Sequence, residues 1–189
     1  DVSPSNVLIS FEGEVKLIDF GIARSTGRRD DSRGTIKGKV RYMSPEQSRG
    51  LPLDPWTDVF SLGIVLWESL TGGNLYDHDD PTDVMEALQR KPAPPARGVR
   101  ADVPPALDII LQCAMAKDAD ERFQTADEMA RALDFFLAEQ RLAATAADVG
   151  ALVRSRFAPT LVISIRDEGA PRAKRTPAAP QATVVAVPD

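Results

Sequence analysis

Asp1, Asn6 and Asp19 offer two carboxylates and a carboxamide, groups that can bind a hard cation and take a proton. Two short apolar runs separate Asn6 from Asp19, Val7-Leu8-Ile9 and Val15-Lys16-Leu17-Ile18, and both have strand composition. Glu12-Gly13-Glu14 lies between them and supplies a turn residue that tolerates positive φ. This spacing predicts a hairpin, which would return the chain on itself and bring Asp1 and Asn6 close to Asp19. Two carboxylates and an amide oxygen converging beside tight backbone suit a hard cation and a polar reactant. Mg²⁺ takes oxygen ligands, keeps several waters, and is usually held by one or two side chains together with substrate phosphates.

Asp1-x-x-x-x-Asn6, Asp19-Phe20-Gly21 and Ser44-Pro45-Glu46 stand in that order along the chain. Together they resemble the catalytic loop, the metal-binding triplet and the end of the activation segment of a protein kinase. The likeness is to bacterial kinases of the eukaryotic (Hanks-type) serine/threonine class, and it runs from Asp1 to about Leu142. It implies a mainly α fold, the C-terminal lobe of a kinase with a small β-hairpin at its N-terminus and no N-lobe. It also implies roles. Asp1 would orient a substrate hydroxyl and accept its proton, Asn6 and Asp19 would hold Mg²⁺ bridging the phosphates of ATP, and Gly21 would let the following segment swing. Asp58 would accept hydrogen bonds from catalytic-loop amides, and Arg122 would pair with Glu46. A guanidinium suits that last role because it stays charged and grips a carboxylate with two bonds.

Between Asp19 and Glu46 the chain is polar and basic, with Arg24, Arg28, Arg29, Arg33, Lys37, Lys39 and Arg41 among glycines and no periodicity. A loop of that length in a compact domain is usually functional, and by resemblance it is the activation segment. Thr35, eleven positions before Glu46, stands where many kinases are phosphorylated. Ser25, Thr26 and Ser32 are less well placed. Two positions depart from the family pattern. Ser3 occupies the place of a lysine that contacts the γ-phosphate, and Lys39 the place of a threonine near the nucleophile. The residue types look exchanged across one contact, so Lys39 would supply the charge that Ser3 lacks.

The remaining elements form the support. A helix bounded by Asp54-Pro55 or Thr57 and by Thr71-Gly72-Gly73 carries Val59, Phe60, Leu62, Ile64, Val65, Leu66, Trp67 and Leu70, almost without a polar face. Such a helix in a soluble chain is expected to be buried on all sides. Asp80-Pro81 opens a helix to about Arg90, and the proline-rich stretch from Lys91 to Pro95 reads as a connector. Pro104-Pro105 begins another helix, with Leu107, Ile110, Leu111, Ala114 and Met115 as its stripe. Thr125-x-x-Glu128 predicts a capping box for the next, and Thr145-x-x-Asp148 caps a short appended helix over 143–157 with Val149, Leu152, Val153 and Phe157 apolar. From 158 to 189 the Pro/Ala-rich composition predicts a disordered tail.

Composition sets the outer bounds. The 189 residues suffice for one ordinary core and a tail, with 43% hydrophobic and 27% charged residues. A net charge of −5, with no basic cluster large enough to reverse it, argues against nucleic acid as the main partner. No apolar run approaches bilayer length and no signal-peptide pattern is visible. A single Cys113 cannot form an internal disulfide, which agrees with a reducing cytoplasm. Cys113 is expected to be an inert thiol, and His78, with Asp77, Asp79 and Asp80, a solvated acidic loop.

The glycine-rich loop and strand lysine of a kinase ATP cleft have no counterpart here. The expected partners are therefore ATP, a protein hydroxyl substrate and a missing N-lobe, with the chain an N-terminally truncated fragment. The alternative is an inactive kinase-like binding or regulatory module. The Ser3/Lys39 exchange is testable directly. In an intact kinase carrying this chain, Lys39→Met should lower turnover by roughly a hundredfold, and unaltered turnover with normal folding would refute the exchange.

Overall fold

The computed structural model describes residues 2–19 and 40–157. Asp1, Gly21, Thr35, Lys39 and the 158–189 tail, on which several of the expectations above fall, lie outside them. The described residues are mainly helical, with one two-stranded antiparallel hairpin. They divide into two compact units, 7–18 with 144 onward, and the rest up to 143. No helix among them is long and apolar enough to cross a membrane.

In the smaller unit, β1 (Val7–Ile9) pairs with β2 (Val15–Leu17) in the register Val7↔Leu17 and Ile9↔Val15. The turn closes through Gly13 N–H donating to the Ser10 carbonyl at 3.0 Å, with Gly13 at φ +88°. That angle is inexpensive only for glycine.

The larger unit contains six helices among its described residues, α1 (Pro45–Ser48), α2 (Trp56–Thr71), α3 (Pro81–Arg90), α4 (Ala96–Val99), α5 (Pro105–Ala114) and α6 (Ala126–Glu139). The smaller unit adds α7 (Ala146–Arg156). α2 is the centre of the larger unit and packs against α4, α5 and α6. Val59, Phe60, Ile64 and Trp67 are buried, but Leu62, Val65, Leu66 and Leu70 are only half-buried and Ser69 is exposed. The expectation of burial on every side is thus corrected, because the three partner helices cover only part of the circumference. Gly72 ends α2 in the left-handed conformation, its N–H donating to the Glu68 carbonyl at 2.8 Å.

The local punctuation follows the residue chemistry. Asp80 caps α3 by accepting from Thr82 N–H at 2.7 Å, with Pro81 in the first turn. The proline-rich connector is pinned where Trp67 Nε1 donates to the Pro94 carbonyl at 2.9 Å. Just after it, Asp108 of α5 accepts from Ala96 N–H at 2.7 Å, which caps α4 from another helix. One cap differs from expectation. Thr125 accepts from Glu128 N–H, but the Glu128 carboxylate accepts from Gln124 N–H at 2.8 Å, so the box at α6 is not reciprocal. α7 has a complete box between Thr145 and Asp148. Its apolar face is not the expected one: Leu152 and Phe157 are exposed, and its buried residue is Gly150.

Lys117 joins three parts of the core. Its Nζ donates to the Leu88 carbonyl at 2.7 Å and to the Tyr76 hydroxyl at 2.9 Å, and it lies 5.1 Å from the centre of the Phe60 ring. Burial, reinforced by the positive charges of Arg122 and Arg49, lowers its ammonium to about 8. The unfolded chain keeps that proton to higher pH than the native state does. The native state is therefore penalised by this charge below pH 8, and the penalty is relieved as pH rises above it. In urea unfolding between pH 7 and 10, the stability difference between wild type and Lys117→Met should grow in favour of wild type above pH 8. A pH-independent difference would refute the assignment.

Candidate active site

Asn6 closes the 3₁₀ turn Pro4–Asn6, its backbone N–H donating to the Ser3 carbonyl at 3.0 Å. That tight turn buries its side chain and fixes its direction. Asn6 Nδ2 donates to the Asp19 carbonyl at 3.5 Å, thirteen residues later in the chain. Asp19 has φ +54°, the left-handed region that a non-glycine residue rarely occupies. Such strain, of order 1–3 kcal/mol, persists only where surrounding structure enforces it, and it concentrates at functional sites. The two residues are thus adjacent, and their donor set is an amide oxygen and a carboxylate. These hard oxygens fit Mg²⁺, whose remaining ligands are ordinarily phosphate and water. Among the described residues no group of three or more His, Cys, Asp or Glu side chains could hold a metal. Asp77, Asp79 and Asp80 therefore form no such cluster around His78. Ser3 is buried, with its Oγ 3.1 Å from Ser5 Oγ.

A second constellation surrounds Glu46 at the start of α1. Arg122 Nη1 donates to Glu46 Oε1 at 2.8 Å and Nη2 to Oε2 at 3.0 Å, across 76 residues of chain. The guanidinium is fully buried, and its other contacts are satisfied by carbonyls: Nε to Ala116 at 2.8 Å, Nη1 to Trp56 at 3.4 Å, Nη2 to Lys117 at 3.3 Å. A buried charge is tolerable only when its donors are matched in this way. The ring of Phe60 lies 4.8 Å from the guanidinium carbon and adds a cation–π contact. Thr57, which the sequence suggested only as a possible helix start, donates its hydroxyl to Glu46 Oε1 at 2.9 Å. Burial by itself would raise the Glu46 pKa. The bonds from Arg122, its own backbone N–H and Thr57 outweigh that and lower it to about 2.

The strand of chain leading to Glu46 is fixed to α2 from the same side of the sequence. Ser61 Oγ donates to the Tyr42 carbonyl at 2.7 Å, and the Tyr42 hydroxyl donates to Glu68 Oε2 at 2.6 Å. Burial and the Glu68 carboxylate both push the Tyr42 pKa up, so the phenol stays a donor. Arg41 bonds the His78 carbonyl at 3.3 Å and pairs with Asp77 at 3.3 Å. Thr57 and Ser61, hydroxyl residues four apart in a mostly apolar helix, were the available signal for these contacts. Asp58 lies in the first turn of α2 and is exposed, while Asp1 in the loop it was expected to hold is outside the described residues. Cys113 is half-buried, its Sγ donating to the Glu121 carbonyl at 3.4 Å, and burial raises its pKa, away from a reactive thiolate.

Residues 1–134 match the protein kinase domain. The chain belongs to that family. It is 39% identical over 158 residues to the tyrosine-protein kinase MasK of Myxococcus xanthus, covering 83% of this chain and 24% of that protein. It is 44% identical over 133 residues to the serine/threonine-protein kinase PknB of Mycolicibacterium smegmatis, covering 68% of this chain and 21% of that one. A probable serine/threonine-protein kinase of Corynebacterium efficiens is 37% identical over 194 residues, 97% of this chain and 28% of that protein. The kinase-domain chain thus spans about a quarter of the length of the curated relatives it matches.

The Glu46 anchor generates a two-part prediction. Arg122→Ala should destabilise the larger unit by about 3–5 kcal/mol, because it leaves a buried carboxylate uncompensated, and Arg122→Lys should recover only part of that loss. Since Glu46 has a lowered native pKa, its contribution is present above its ordinary value of 4.5 and lost as pH falls toward about 2. Unfolding titrations should show this acid loss in wild type and a shallower one in Glu46→Gln. Equal slopes would contradict it.

Proposed function

We propose that the chain is the C-lobe portion of a kinase that transfers the γ-phosphate of ATP to a serine or threonine hydroxyl of another protein. The observation that carries this reading is the contact of Asn6 with a left-handed Asp19, the buried amide donating to the Asp19 backbone carbonyl, so that one amide residue and one carboxylate residue stand next to each other. Bound Mg²⁺ would neutralise charge on the ATP phosphates. Asn6 and Asp19 would hold that ion, the amide by its fixed direction and the carboxylate by its charge. Asp1, five positions before Asn6, would orient the acceptor hydroxyl and take its proton as the oxygen attacks in line. Lys39 would bring positive charge to the place where Ser3 has only a hydroxyl. The Glu46–Arg122–Thr57 anchor would hold the end of the activation segment, and phosphorylation of Thr35 would order the rest by giving its arginines an anionic partner.

The serine/threonine preference rests on likeness to the PknB relatives. The match to MasK, whose name states a tyrosine kinase, favours tyrosine as the second reading of the acceptor. ATP grip would require an N-lobe supplying the phosphate loop and strand lysine.

The test uses a kinase in which this chain is joined to such an N-lobe, assayed with Mg-ATP and generic protein acceptors. Asp19→Ala and Asp1→Asn should each lower turnover by roughly 10²–10⁴-fold without loss of folding, and phosphoamino-acid analysis should return phosphoserine and phosphothreonine. Turnover that survives both substitutions would overturn the site, and no turnover in the unaltered protein would favour a binding module.

A further inference from the structure

α7 carries a glycine in its middle, which weakens an isolated helix relative to alanine. Such a residue calls for a compensating contact, and the smaller unit supplies one. A Cβ on Gly150 would fall 2.6 Å from the Phe11 carbonyl oxygen and 2.8 Å from the Glu12 carbonyl carbon. A Cβ on Gly13 would collide with the Ala146 carbonyl. Backbone therefore meets backbone on both sides, an approach open only to residues without side chains. Arg154, one helical turn beyond Gly150, donates from Nη1 to the Phe11 carbonyl. Val149 and Val153 are half-buried beside Gly150, whereas Leu152 and Phe157 are exposed. The docked face of α7 is therefore Ala146, Val149, Gly150, Val153 and Arg154, at i, i+3, i+4 spacing. What it grips is the turn Phe11–Gly13 of the hairpin, and that hairpin is the covalent link between Asn6 and Asp19.

We propose that α7 is a brace for the hairpin: docking on the Phe11–Gly13 turn restrains the β1–β2 link, and release of α7 loosens the spacing of Asn6 and Asp19. The second half rests on the reading of Asn6 and Asp19 as the Mg²⁺ pair. The contact makes the segment after the kinase core a control point. Anything that captures α7, such as a partner for its exposed Leu152 and Phe157, would loosen the hairpin from a distance.

Amide hydrogen exchange on the 189-residue chain tests the first half. Gly150→Leu should speed exchange of the Gly13 and Ser10 amides about tenfold while the α2 amides stay protected, and Arg154→Ala should act in the same place less strongly. Unchanged hairpin exchange in both variants would overturn the brace. If Gly150→Leu loosens the whole chain, Arg154→Ala decides alone, since it deletes one hydrogen bond and keeps the helix. For the second half, Gly150→Leu in the N-lobe-joined kinase should raise the Mg²⁺ concentration needed for half-maximal turnover several-fold, with saturating turnover retained. Faster hairpin exchange with an unaltered Mg²⁺ requirement would overturn control of the site by α7. Activity that survives Asp19→Ala would instead strike the metal-site reading, and the exchange result would still stand or fall separately.

Discussion

The buried guanidinium of Arg122 is the constraint on which the larger unit depends. A cation without solvent must have its donors matched, and here they reach the Glu46 carboxylate and the Trp56 carbonyl from distant parts of the chain and the nearby Ala116 and Lys117 carbonyls. The pair with Glu46 ties the entry to α1 to the segment before α6, and Trp56 and Phe60 bring the start of α2 into the same contact. Its value is less the net energy of an ion pair, which burial largely cancels, than the penalty on any arrangement that separates the partners. That penalty specifies where the 42–46 stretch sits.

Around this anchor the polar contacts share one logic. α2 is mostly apolar, yet two of its small hydroxyls, Thr57 and Ser61, and its Glu68 each engage the 42–46 stretch or its neighbours. A central helix that offered only methyl groups would hold that stretch by burial, which is non-directional. Directional bonds at three positions along the helix fix its register instead. Lys117 adds a second cation against Phe60, held by a carbonyl and a phenol, and burial together with the charges of Arg122 and Arg49 lowers its pKa.

The smaller unit solves a different problem. A two-stranded hairpin is marginal by itself in water. Its β2 residues are all exposed, so side-chain burial contributes little to it. Close backbone approach to α7 at Gly13 and Gly150 supplies contact that the strands do not make through their side chains. The link between the two metal-site candidates is thereby stiffened at its far end.

The sequence determined what depends on neighbours a few residues away. The hairpin strands, the Gly13 turn, the Asp80 and Thr145 caps and the glycine end of α2 could be read from it because φ/ψ preference and short-range hydrogen bonding are set locally. Motif order also pointed to Asn6, Asp19, Glu46 and Arg122, by their resemblance to the kinase pattern. Glu128 accepts from the Gln124 amide and not from that of Thr125, a choice that the spacing of the residues leaves open. Contacts between residues far apart in the chain were not legible in this way. α2 keeps half-exposed leucines because three short helices cannot enclose it. Thr57 joins Glu46, and Gly150, not Leu152, is the buried residue of α7, because which face meets a partner depends on the shape of that partner. Hydrophobic periodicity reports where apolar side chains lie on a helix, and it is silent where contact is made by the absence of one.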